Sequence, residues 1–100
     1  MKKLLVLFLV SSTCFAVEPS SERQTELRLL LKNDCGACHG LLLQGGLGSP
    51  LQPQDLIQKS DDYLIETIMN GRKGTAMPPW KPFLNRDEIV WLVQLLRKPN

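Results

Sequence analysis

Asn33-Asp34-Cys35-Gly36-Ala37-Cys38-His39-Gly40 decides how this chain folds. Within it, Cys35-Gly36-Ala37-Cys38-His39 is a CxxCH motif, the attachment signature of a c-type haem. The two thiols add to the two vinyl groups of one porphyrin and form thioethers. Two intervening residues let both sulfurs reach the same macrocycle edge, and Gly36 and Ala37 suit a tight turn beneath a flat ring. His39 follows at once, so its imidazole swings under the iron as proximal ligand. A structural zinc site would need a second ligand pair, and the only other cysteine is Cys14. A thioredoxin-like redox pair sits near a βαβ pattern, and the sequence shows no strand of any length.

Upstream, Met1-Lys2-Lys3 precedes an apolar run from Leu4 to Val10, then Ser11-Ser12-Thr13 and Cys14-Phe15-Ala16. This is the layout of a secretory signal, expected over residues 1–16, with cleavage after Ala16 and Cys14 at the small −3 position. A transmembrane helix needs ~20 apolar residues, so no stable membrane insertion is expected after cleavage. Ser11-Ser12-Thr13 is a poor approach sequence for lipid attachment at Cys14. The expected location is the periplasm, where c-type haem is attached. Cleavage removes Lys2 and Lys3 and with them the net charge of +2, and nothing in that balance suggests nucleic acid. Residues 17–100 form one small domain whose own core is marginal. A single haem c, held through Cys35 and Cys38, supplies the large apolar plate that short helices can pack around, and it leaves no cysteine for a disulfide framework.

The spacing predicts three main helices, about 21–33, 61–70 and 85–98. Ser21 and Gln24 stand in capping-box relation, and Leu27, Leu30 and Leu31 share one face. This helix is expected to end near Lys32–Asn33 and feed into the haem motif. Asp55 to Lys59 suits one helical turn. Ser60 or Asp61 caps the middle helix, whose buried face is Leu64, Ile65 and Ile68, and Gly71 suits its C-terminal stop. Asn85 and Glu88 make a second capping box, and Ile89, Leu92, Val93 and Leu96 form the stripe of the last helix.

Two irregular segments lie between the helices. Gly45, Gly46, Gly48, Pro50 and Pro53 break the first. No strand precedes it and no Gly-Lys-Ser/Thr follows, so a phosphate cradle is disfavoured, and close backbone approach to the haem is the expected use. A ligating histidine donates its second ring N–H to a carbonyl or carboxylate, and Ser49 or Pro50 offers that carbonyl. The second segment holds Ala76-Met77-Pro78-Pro79-Trp80. No other histidine exists, so a thioether is the expected sixth ligand. Met77, in a proline-stiffened loop, is that candidate, and Met69, in phase with a helix core, reads as packing. Trp80 is placed near the haem, with its indole N–H available to a propionate. Arg72, Lys73 and Lys81 flank the Met77 loop as a candidate basic docking patch or as ordinary solvated charges.

An N-terminal helix, an early CxxCH, a Gly/Pro loop, a middle helix, a Met-Pro loop and a C-terminal helix resemble the class I monohaem cytochromes c. The resemblance covers essentially all of residues 17–100 and implies an all-α fold whose first and last helices cross at one haem edge. Gly45-Gly46-Leu47-Gly48 and Gly74-Thr75-Ala76-Met77-Pro78-Pro79-Trp80, with the stretch quoted first, look like the small periplasmic cytochrome c-55X family of denitrifying bacteria. That family usually reads Gly-Leu-Gly-Pro where this chain reads Gly48-Ser49-Pro50. The resemblance implies an electron carrier, not an enzyme, whose redox partner is dissimilatory nitrite reductase. The alternatives are a part in maturing that reductase's haem, ligand binding at the haem, or, without haem, thiol oxidoreductase chemistry at Cys35 and Cys38.

Overall fold

The computed structural model describes residues 2–10 and 17–99. The expected cleavage after Ala16, with Cys14 at −3, lies outside the described residues. Residues 2–10 are exposed and carry no helix or strand, and all regular structure among the described residues is helical.

Helix α1, Ser21–Leu30, starts one residue earlier in its capping than the pattern suggested. Ser20 holds the extended ψ of 158° that a cap needs, and its hydroxyl accepts the Arg23 N–H at 3.2 Å. Ser21 is already helical, so it cannot cap, and the Gln24 amide donates instead to the Pro19 carbonyl at 2.9 Å. Nor does the helix stop at Lys32–Asn33. It passes through a π turn, Leu31–Cys35, into α2, Gly36–His39. The Gly36 N–H reaches back five residues to the Leu31 carbonyl, the widened ring of a π turn. Gly36 takes a helical φ of −62° and is buried, so the tight turn expected at Gly36-Ala37 is helix. The first true breaker is Gly40, at φ 92°.

Pro53 opens the short helix α3, Pro53–Leu56, at a position where its fixed φ helps, two residues before the turn expected at Asp55. Ser60 caps α4, Asp61–Asn70, by accepting from the Tyr63 N–H at 3.1 Å. Asn85 and Glu88 cap α5, Arg86–Arg97, reciprocally at 2.9 and 3.0 Å. Both helices stand where the periodicity put them.

Helix α5 is the hub. Its Ile89 and Val93 are fully buried with Leu27 of α1 and Leu56 of α3, while Leu64 and Ile65 of α4 close the core. Each such side chain contributes about 1.5–3 kcal/mol by leaving water. Across the α1–α5 contact, Arg23 pairs with Glu88 and the Arg28 guanidinium lies 5.3 Å from the Trp91 ring centroid. At the other end Arg97 donates to Asp61 at 2.6 Å and to the Leu56 and Lys59 carbonyls at 3.0 and 2.6 Å. This clamp ties the end of α5 to the start of α4. The motif therefore rides on the far end of a helix whose near end is anchored to α5.

Candidate functional site

The continuous helix sets Cys35 and Cys38 at i, i+3, neighbours on one helix surface. Cys35 is half-buried and Cys38 exposed. Burial, and then the nearby Asp34 charge, push the Cys35 thiol up to about 11. Such a thiol is protonated at neutral pH and a weak nucleophile, which weighs against thiol oxidoreductase chemistry. Among the described residues no three His, Cys, Asp or Glu side chains gather as a metal cage.

The loop after His39 folds straight back on the motif. Gly45 donates its N–H to the His39 carbonyl at 2.8 Å, and Gly48 donates to the Cys38 carbonyl at 2.7 Å. These bonds satisfy the last carbonyls of α2. The backbone approach is so close that a Cβ on Gly48 would stand 2.8 Å from His39 Nδ1, and one on Gly46 2.8 Å from the Cys38 oxygen. The close approach foreseen for this loop is thus made to the motif's own ring and carbonyl. His39 Nδ1 donates to the Ser49 carbonyl at 2.7 Å, which settles the choice between Ser49 and Pro50. With Nδ1 held, Nε2 is the nitrogen left for a ligand.

Met77 comes from the separate α4–α5 connection and is half-buried. Its carbonyl accepts the Arg72 N–H at 3.2 Å, and its N–H donates to Thr75 Oγ1 at 3.3 Å. Thr75 in turn donates to the Arg72 carbonyl at 2.7 Å. A Cβ on Gly71 would lie 2.6 Å from the Met77 carbonyl oxygen, so the loop's two limbs touch there. Trp80 and Lys81 donate to the Ile68 and Met69 carbonyls, capping α4. Sequence reasoning missed the role of Thr75. Its signal was a threonine two residues before the methionine, poised for a local side-chain bond to the backbone. Met69 packs against the core, with Arg86 3.8 Å from its sulfur. Trp80 is half-buried and meets Phe83 edge-on, with centroids 6.0 Å apart. Arg72, Lys73 and Lys81 are exposed, and among the described residues none pairs with a carboxylate.

These residues fit a c-type haem. Two thiols stand on one helix surface, the imidazole beside them is fixed through Nδ1, and a stapled loop carries a thioether. Known proteins agree. The family described as cytochrome c oxidase, cbb3-type, subunit III matches residues 22–96. Cytochrome c55X of Paracoccus denitrificans (strain Pd 1222) is 43% identical over 94% of this chain and 91% of its own length. A solved c-type cytochrome, NirC, is 48% identical with a TM-score of 0.78, over 79% of this chain and 93% of its own. The dihydro-heme d1 dehydrogenase NirN, solved in complex with DHE, is 30% identical with a TM-score of 0.68, over 73% of this chain but 16% of that one. The chain therefore belongs to the c-type cytochromes, in the cytochrome c55X family, and its prosthetic group is covalently attached haem c.

Proposed function

We propose that this cytochrome is an exported electron carrier that donates to dissimilatory nitrite reductase. Cys35 and Cys38 hold the haem, His39 Nε2 and the Met77 sulfur bind its iron, and residues 1–16 are the export signal removed from 17–100. Among the described residues no helix is long and apolar enough to cross a membrane. The haem supplies one reversible electron. The chain's part is to fix both ligands, so that reorganisation is small, and to present a docking surface. The observation that carries this reading is the His39–Ser49 bond: a backbone carbonyl holds the ring through Nδ1, which leaves Nε2 for the iron. The Met77 loop, stapled through Thr75, Arg72 and Gly71, supports a ligand kept in place in both oxidation states. The exposed cations around it suit an acidic partner, drawn together faster at low salt.

Stopped-flow oxidation of the reduced cytochrome by haem-containing nitrite reductase, at low and high salt, tests the reading. Fast oxidation that slows with salt is expected. Negligible oxidation at both removes the reductase as acceptor. The reduced protein should also bind no carbon monoxide, whereas Met77→Ala should bind it readily. The NirN likeness favours a second reading, an accessory part in maturing the reductase's haem. It gains if reduced protein is not oxidised by the mature reductase.

A further inference from the structure

A groove of about 440 Å³ is lined by none of Cys35, Cys38, His39 or Met77. Its walls come from the end of α1 and the π turn, from the loop after α2, and from the end of α5. Leucines make its interior, among them Leu31, Leu41, Leu43 and Leu95. Leu41 is 69% exposed, apolar surface that gains by being covered. Arg28, Lys32 and Lys98 are the charged residues of the lining, and no acidic residue joins them. None of the three forms an ion pair among the described residues. Arg28 is steadied by Trp91 without losing its charge.

Leu43 adds an independent observation. It is the one non-glycine residue at positive φ among those described, at 57°. A bulky side chain there is a strained outlier, of the kind that persists at ligand clamps when its surroundings hold it. Two backbone bonds do so: its N–H to the Gly40 carbonyl at 2.8 Å, and its carbonyl from the Leu51 N–H at 2.9 Å. The strained residue lines the groove.

We propose that this groove binds a single-chain anionic amphiphile, a long-chain fatty carboxylate, with the alkyl chain along the leucines and the carboxylate at Arg28 and Lys32. A peptide suits the lining less. An extended peptide needs partners for its backbone, and the polar side chain of the lining, Gln52, already donates to the Leu42 carbonyl. An alkyl chain asks for no hydrogen bonds, and arginine holds a carboxylate in a fork.

Calorimetric titration of the haem-loaded protein with dodecanoate, below its micelle concentration, tests the site. One saturable site is expected, weakened about tenfold or more by the Arg28→Gln/Lys32→Gln double variant. Leu41→Gln, at an exposed position, should weaken it without altering the haem spectrum. Dodecyltrimethylammonium should not compete. Absence of saturable binding overturns the proposal, as does equal binding of the cationic amphiphile. Capture by anionic vesicles without binding of free dodecanoate also overturns it, and marks a lipid-surface patch instead.

Discussion

Gly48 shows how much of the site rests on one missing side chain. Alanine there would put its Cβ 2.8 Å from His39 Nδ1 and 2.9 Å from Cε1. The ring is held at Nδ1 by the Ser49 carbonyl, so the loop must withdraw and stretch that bond. Gly48→Ala should cost about 1–3 kcal/mol in thermal unfolding and lower the basicity of the ligand. A changed reduction potential with an intact haem spectrum would register the second effect; an unchanged potential would confine Gly48 to packing. The CxxCH spacing and the lone histidine single out His39 as the proposed proximal ligand from sequence alone. Which carbonyl holds it was not readable. Ser49 and Pro50 are adjacent, and only the path from Gly45 to Gly48, set by bonds to Cys38 and His39, decides between them.

Among the helices, the two with strong apolar stripes and side-chain caps, α4 and α5, were legible from their residues. The first was misjudged at both ends. Adjacent serines compete for its cap, and backbone ψ, which no pattern displays, chooses Ser20. Its C-terminal extension passes through Gly36, a residue that usually signals a turn but is buried in helix here. The α1–α5 contact makes a pH-dependent contribution. Arg23, and then the Asn85 N–H, hold the Glu88 carboxyl below its ordinary value of 4.5. Its folded value is lower than its unfolded one, so the stabilisation is present above about pH 4.5 and lost as pH falls through the folded value. Glu88→Gln keeps the capping box and removes the charge. It should cost about 1 kcal/mol at pH 7, a modest figure because Arg23 is partly solvated. Thermal melts should show that difference shrinking as the pH falls below about 4.5 and through the folded value, whereas a constant difference would make the pair electrostatically idle.

For the molecule as a whole, haem is both cargo and core. Few side chains are fully buried, and a domain this small is marginal on its own apolar area. A Cys35→Ala/Cys38→Ala chain, made without attachment, should retain some helix but lose a sharp calorimetric transition. A cooperative melt equal to the native one would show that the helices suffice alone. The π turn bears on the same assembly in another way. It stores one surplus residue between the Arg23–Glu88 anchor and the cysteines. Removing that residue from Leu31–Cys35 would restore an ordinary helix and leave everything beyond it in nearly the same phase, whereas a second deletion would swing it by about 100° about the axis. Chain length in that segment, more than composition, therefore sets the compass bearing of the two cysteines relative to the rest of the protein: substitutions and the loss of the one surplus residue can be absorbed there, but a second deletion would turn the motif away from its present bearing.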